Sequence, residues 1–412
     1  MTSESPDIQQ PAVNPAAGHC VAAGNAFITG MGAVCSLGPD TDTVMDTLFG
    51  MPPDPAPPER FSTDHPVAYP VFSLPKALEE AVTVKHRDLT LTAGMAVETA
   101  KQALDDAGLS LDDLKGKRVG VCMGTTVGCA LNNDPFYIRY REGKEPGMEP
   151  ILRFFASNPA EAVARALHLD GPVQTVANAC ASGSDAIGIG AGWLASGLCD
   201  LVIAGGTDEL CKVTYNGFSS LMITDHERCR PFDAERRGLN LGEGAAALVM
   251  EPESDPERAR CRLDGYGAAC DAYHLTAPRP DAGGLKRAVA EALNQSGLKK
   301  SDIGFINAHG TGTRDNDRME MTLFKEDLSG IPFFSTKGYT GHTLGAAGAL
   351  EAVITIGCLE SGKIPPSIGF TTPDPETGLS PVTRVRPVAS KSALSLSVAF
   401  GGNNAALVFT RL

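Results

Sequence analysis

The feature that most constrains the fold of this chain is a repeat of small-residue turns. Cys180-Ala-Ser-Gly183 recurs as Gly345-Ala-Ala-Gly348, and Leu194-Ala-Ser-Gly197 recurs as Leu359-Glu-Ser-Gly362, with equal spacing between the paired segments. The surroundings repeat too. A helical pattern over 92–107 ends at Gly108-Leu109 and one over 284–296 ends at Gly297-Leu298, where glycine supplies the left-handed cap. Short apolar runs that read as strands follow each, over 119–123 and 303–308. The chain is therefore an internal duplication of an α/β unit. Two such halves predict layered α/β packing, with functional residues at strand ends where the halves meet.

Charge and cysteine usage narrow the class. A formal net charge of -14 argues against a nucleic-acid surface, which needs clustered Lys and Arg, although an acidic partner can still dock on a local basic patch. The eleven cysteines contain no CxxC pair, which fits reduced thiols better than disulfides or a zinc site. With no charged leader before an apolar run and no apolar stretch of spanning length, the expectation is a cytoplasmic protein without a membrane span. Residues 1–24, rich in Pro, Ala, Ser and Gln, read as a flexible extension. Residues 25–262 and 263–412 read as the two halves.

In the first half, Phe27-Ile-Thr-Gly-Met-Gly32 reads as a strand ending in a structural glycine turn; the spacing of a dinucleotide loop fails. Residues 51–75 are crowded with prolines and read as an irregular connection, and 132–150 as a loop or a short helix pair. Residues 173–177 read as a buried strand that breaks at Asn178 into a thin helix over 182–197. That places Cys180 at a helix N-terminus, where unpaired N–H groups and the helix dipole favour thiolate. A cysteine there is equally at home as a small core residue.

The second half supplies its partners. Asn307-Ala-His309-Gly-Thr-Gly-Thr313 delivers a histidine into a turn of small, hydroxyl-bearing residues. Ser335-Thr-Lys337-Gly-Tyr-Thr-Gly-His342-Thr-Leu-Gly-Ala-Ala-Gly348 brings a lysine and a second histidine to a strand-to-helix corner. Phe400-Gly-Gly-Asn-Asn404 ends a further strand. Each alone is an ordinary turn. A cysteine and two histidines on equivalent strand-to-helix corners of a duplicated fold are not an accidental convergence.

On these motifs the chain resembles the elongating, Cys-His-His β-ketoacyl-acyl carrier protein synthases of the thiolase-like fold, from about Phe27 to Leu412. The Arg230-Pro-Phe-Asp233 to Gly242-Glu-Gly-Ala245 stretch and Asp271-Ala-Tyr-His-Leu-Thr276 add to the likeness. The resemblance implies an α/β fold of duplicated halves in an α-β-α-β-α arrangement. It also implies decarboxylative condensation of an acyl group on Cys180 with malonyl on an acyl carrier protein. By the same likeness His309 and His342 are the paired histidines, Lys337 their charged neighbour and Phe400 the gate beside the cysteine. Thr311, Thr313, His274 and Thr276 would hold the substrate and its pantetheine arm, and Asp317, Glu320 and Glu351 would brace the site. No cofactor and no metal are implied. The implied partners are the acyl- and malonyl-loaded carrier and a second subunit, as a homodimer or as a heterodimer with a related ketosynthase-like chain. Lys76, Lys85 and Arg87, or Arg139 and Arg141, are candidates for carrier docking.

The neighbouring families differ at identifiable residues. A thiolase would carry a second cysteine where His342 stands, a non-catalytic chain-length partner typically lacks the cysteine, and a starter-type synthase pairs one histidine with an asparagine. The chain also departs from the housekeeping enzymes. Asn316 stands where glycine is common, Arg237 where an acid is common, and Ala399 precedes Phe400 where glycine is usual. These departures surround the expected acyl pocket and gate, and so predict an altered, specialised primer rather than an altered reaction.

Overall fold

The computed structural model describes residues 26–63, 65–127, 133–252 and 258–412; the extension expected over 1–24, and Asn132, lie outside these. The first half contributes five strands, β1 (Ala26–Cys35), β2 (Val119–Gly124), β3 (Val173–Val176), β4 (Leu201–Asp208) and β5 (Gly244–Glu251). The second contributes β6 (Cys261–Cys270), β7 (Ile303–Asn307), β8 (Phe333–Phe334), the two-residue strands β9 (Lys363–Ile364) and β10 (Arg386–Pro387), then β11 (Ser392–Ala399) and β12 (Asn403–Thr410). The ten-stranded sheet runs β3-β2-β4-β5-β1-β6-β12-β11-β7-β8, while β9 and β10 pair separately.

This order is the duplication made visible. Outward from the centre, β1-β5-β4-β2-β3 and β6-β12-β11-β7-β8 match position for position, including the sense of every pairing: antiparallel twice, then parallel twice. The halves are joined by a short antiparallel contact of Ala26–Ile28 with Cys261–Leu263. A boundary between residues 262 and 263 falls inside β6.

Gly30 and Gly32 do not end β1, contrary to the sequence reading. The strand continues to Cys35, and a Cβ on either glycine would run into the carbonyls of Ala103 and Thr99 in the helix Leu91–Asp106. Gly265 and Gly267 of β6 stand in the same relation to Ala292 and Ala288 in the helix Gly283–Ser296. Close helix-on-strand approach, not a turn, is what these glycines serve.

Between the two half-sheets lie the helices Ser182–Ala195 and Ala347–Ser361. Their glycines permit the contact: a Cβ on Gly183 would fall 2.8 Å from Ala349 N and from Gly345 O. The second helix, apolar over Leu344–Ser361 to a degree that would suit a membrane, is 89% buried inside the protein. One expectation fails at the sheet's edge. β3 is half-buried to exposed rather than buried, because it has β2 on one side and, among the described residues, no strand on the other. Its valines suit a core strand, whereas Gln174, the exposed residue, and Thr175 suit the edge it forms in the fold.

Candidate active site

Each half sets its central helix behind a single 3₁₀ turn, Ala179–Ala181 and Leu344–Ala346. Both turns begin on a residue with positive φ, 47° at Ala179 and 55° at Leu344. Such a conformation is strained for a residue with a Cβ and is retained where surrounding contacts fix it. At the first turn the contacts are visible. Asn178 N donates to Ser182 Oγ at 2.8 Å, Ser182 Oγ donates to Ala179 O at 2.6 Å, and the Asn178 amide donates to buried Asp185, which also accepts from Tyr266 Oη at 2.8 Å.

The turn projects Cys180, 4% exposed, toward His342, whose Nε2 lies 3.0 Å from Sγ. His309 meets His342 edge-on, with ring centroids 5.1 Å apart. The hydrogen bonds behind the rings assign their tautomers. His342 Nδ1 accepts from Leu344 N at 3.3 Å. His309 Nδ1 lies 3.2 Å from Lys337 Nζ, which also donates to His309 O at 2.7 Å and to Glu351 Oε1. A ring nitrogen, a carbonyl oxygen and a carboxylate oxygen match the three donors of an ammonium. Both imidazoles therefore carry their proton on Nε2. Burial, reinforced by Lys337, holds both well below the usual histidine range, so they are neutral N–H donors at pH 7.

That protonation pattern bears on an alternative use. Cys180 Sγ and the two imidazoles bring ligand atoms within 4.8 Å of one another, a spacing that could hold a metal ion. Metal-bound histidines normally donate their second N–H outward to an acceptor. Here the outward nitrogens accept, which leaves the inward ones protonated and suited to an anionic oxygen.

The acids sit behind this face. Glu320, fully buried, accepts from His309 N and Gly310 N, each at 2.7 Å, and so fixes the turn that carries His309. Asp317 accepts from Phe232 N at 2.7 Å and Gly312 N at 3.2 Å. Glu351 holds Lys337, and burial pushes its carboxyl up to about 7 against the pull of that lysine. Thr311 and Thr313 share a hydroxyl hydrogen bond of 2.8 Å. Thr313 and Thr276 line the cavity with the catalytic trio; His274, close to Thr276 in sequence, is exposed, its Nδ1 accepting from Thr276 N and Ala277 N at 3.1 Å. The cavity has a volume of about 430 Å³, and Phe400 stands at its wall, stacked on Phe218 at 5.5 Å. The Phe400 backbone N–H points at Cys180.

The thiolate expectation needs correction. Burial pushes the Cys180 thiol up to about 12, and neither Lys337 nor the Phe400 N–H offsets this. At pH 7 this favours the thiol form of Cys180.

Two groups at the site carry no sequence signature. Phe218 packs on the gate from a separate helix, Lys212–Ser220. Asp208 ends β4 and accepts from Thr125 Oγ1, Thr126 N, Thr126 Oγ1 and Gly345 N at 2.7–2.9 Å.

Comparison with known proteins agrees with this geometry. Residues 26–256 match the beta-ketoacyl synthase N-terminal domain and residues 260–371 its C-terminal domain. The chain belongs to the beta-ketoacyl synthase family. It is 35% identical over 341 residues to the tetracenomycin polyketide synthase ketoacyl synthase alpha subunit of Streptomyces glaucescens, covering 77% of this chain and 80% of that one. It is 37% identical over 337 residues to the 3-oxoacyl-[acyl-carrier-protein] synthase 2 of a Synechocystis species, again covering 77% and 80%. Among solved structures, the ishigamide ketosynthase/chain length factor superposes with a TM-score of 0.88 at 30% identity, over 94% of this chain and 99% of that one.

Proposed function

We propose that this protein condenses an acyl group, held as a thioester on Cys180, with a malonyl group on an acyl carrier protein, releasing carbon dioxide and a β-ketoacyl carrier. The observation that carries the reading is the pair of neutral Nε2–H donors converging beside one buried thiol. Cys180 attacks the acyl-carrier thioester, and the carrier's thiol leaves with the proton. Loss of carbon dioxide from malonyl leaves its electron pair as an enolate, whose oxygen accepts from His309 and His342. The enolate carbon then attacks the acyl-cysteine carbonyl, and the cysteine sulfur departs as a thiolate that takes up a proton from solvent to restore the thiol. Backbone N–H groups at Cys180 and Phe400 stabilise the oxyanion of that second step. Each such donor is worth about 3 kcal/mol in the transition state. Burial of the thiol raises its nucleophilicity once ionised and confines ionisation to the moment of transfer.

In this reading the half over 25–262 supplies the nucleophile and the half over 263–412 the two histidines. Lys337 orients His309, with Glu351 as its counter-charge, while Asp317 and Glu320 brace the His309 turn. Thr311, Thr313, Thr276 and His274 guide the arm, and Phe400 gates the cysteine. Lys76, Lys85 and Arg87 are candidates for carrier contact, although Lys85 already pairs with Glu98 at 2.7 Å. The protein works in the cytoplasm, in fatty-acid or polyketide assembly. The test is intact-mass analysis after mixing with a panel of acyl carriers. An acyl adduct mapping to the Cys180 peptide, followed by carbon dioxide release with malonyl carrier, is expected; no adduct from any acyl carrier would remove the proposal.

A specific observation favours a paired assembly. The open edge of β3 lies in the half that also carries the helices Asp134–Arg141 and Glu149–Ala156, whose Ile138, Tyr140, Leu152 and Phe155 are 56–73% exposed. A second copy or a related ketosynthase-like chain would cover such a face. Native mass spectrometry of the protein alone distinguishes a homodimer from a subunit awaiting a different partner.

A further inference from the structure

The buried acids behind His309 pose an electrostatic problem. Asp317 and Glu320 are both 0% exposed, and burial, reinforced by Asp317, pushes the Glu320 carboxyl up to about 8. The basic groups nearby are committed elsewhere. Lys337 is held by Glu351, while Arg236 pairs with Asp374 at 2.8 Å and leaves its Nε 3.9 Å from Asp317 with no hydrogen bond. Yet both carboxylates face donors. Glu320 Oε1 receives His309 N, and Glu320 Oε2 receives Gly310 N together with the Asn316 side-chain amide at 2.8 Å. Asp317 Oδ1 receives the same amide at 3.2 Å. One Nδ2 thus bridges the two acids.

Asn316 is 7% exposed and also faces the catalytic cavity. We propose that Asn316 is a positioning residue, whose amide donates to both carboxylates and so favours the all-acceptor form of Glu320, the form that clamps the His309–Gly310 turn. A protonated Glu320 would bring an O–H among donors and would have to release one of them, and the turn that aims His309 would loosen. Glycine at this position offers no side-chain donor, so the residue marks a different solution to bracing the histidine. The inference rests on the condensing reading above.

The test separates the two half-reactions across pH in Asn316→Asp, Asn316→Gly and Asn316→Ser. Asn316→Asp keeps the shape, removes the amide and adds a third acid. Carbon dioxide release from malonyl carrier should fall about tenfold or more, as for loss of a hydrogen bond to a charged group, and by a larger factor than acylation of Cys180. The groups facing Glu320 are Asp317 on its own helix, His309 from the loop after β7, Lys337, Arg236 and, through Lys337, Glu351. None of these is altered, but the carboxyl introduced in Asn316→Asp titrates itself, so a shift of the same sign in Asn316→Gly, which adds no acid, is what reports on the carboxylate pair. Losing a donor raises the carboxyl's pKa, and the clamp fails as pH falls through it. The acid limb of carbon dioxide release should therefore move to higher pH in Asn316→Asp, by about a unit. Asn316→Ser, which retains an O–H donor, should lie closer to the parent than Asn316→Gly. An unshifted limb in Asn316→Asp or in Asn316→Gly overturns the inference. So does an equal fall of both half-reactions in all three variants, which marks a merely structural residue. A parent protein that acylates Cys180 but releases no carbon dioxide overturns the condensing reading itself, a separable result.

Discussion

The two strand-to-helix corners share a backbone and differ in what they face. Ala179-Cys180 and Leu344-Gly345 both turn through positive φ into the two central helices, and both lie at the interface between halves. At the first corner the small residue is a thiol opening into the cavity. At the second it is a glycine sealed by Thr125 and Asp208, whose carboxylate accepts from Gly345 N at 2.7 Å. A helix N-terminus attracts negative charge, and here the protein satisfies one end internally and leaves the other for a substrate. Duplication thus supplied two equivalent anion-accepting corners. Chemistry survives at the one that no carboxylate plugs, while the second half contributes His309 and His342 as donors aimed across the interface.

The sharpest way to break this comparison is to move the thiol. Cys180→Ala should abolish the covalent acyl adduct in intact-mass analysis, and Cys180→Ala with Gly345→Cys should not restore it. Even Gly345→Ala places a Cβ 2.6 Å from Thr125 Cα and 2.7 Å from Asp208 Oδ2, so its midpoint in urea should reveal a loss of about 1–3 kcal/mol. An adduct on the transplanted thiol would show the corners to be interchangeable.

Removing the donors comes next in size. His309→Ala and His342→Ala should each lower carbon dioxide release from malonyl carrier by about a hundredfold or more while leaving measurable acylation of Cys180. If release held at the parental rate in both variants, the inward N–H groups would not be the oxyanion site.

How much of this was legible in the residues depends on the range of the contact concerned. The duplicated corners could be read because small residues at fixed spacing are a local signal. The trio could be read because each member sits in a long motif. The edge position of β3 is only half legible, since the two valines of Val173–Val176 suit a buried strand while Gln174 and Thr175 suit an exposed one. Gly30 and Gly32 look like a turn until the helix over them is placed. Asp208 and Phe218 reach the site from elements that carry no motif, through contacts set by the fold alone. The protonation of Cys180 was misjudged for a related reason: the helix end is a local effect, whereas burial is a property of the assembled interface.

The plug itself is tested through pH. Burial pushes Asp208 up to about 6 from its ordinary value near 3.8, despite four hydrogen bonds. The folded state therefore binds the proton more tightly than the unfolded chain, and this group's contribution to stability falls as pH rises from about 4 to 6, then stays level. Asp208→Asn removes that slope. Parent and variant compared by denaturation should diverge in the variant's favour by up to about 3 kcal/mol across this window, on top of any constant offset. A pH-independent difference would mean that Asp208 keeps an ordinary pKa and does not pay for sealing the second corner.

The smallest effect belongs to the open corner's gate. Ala399 precedes Phe400 with φ -131° and ψ 155°, extended backbone that any residue adopts, and it packs beside Cys180 while paired with Asn403 in the β11–β12 ladder. The freedom to turn is instead carried by Gly401 and Gly402, at φ 84° and 79°. Ala399 thus narrows the hinge on one side only and trims the cavity by a methyl group. Ala399→Gly should loosen the hinge at a cost of about 0.5–1 kcal/mol in stability. It should also shift discrimination between saturated and conjugated primers of matched length by less than about tenfold, since one methyl in an apolar pocket separates substrates weakly. Competition between the two primers on the same carrier measures this directly. A preference unchanged in Ala399→Gly would place primer choice elsewhere on the cavity wall, at Leu221, Ile223 and Leu239, and not at the gate.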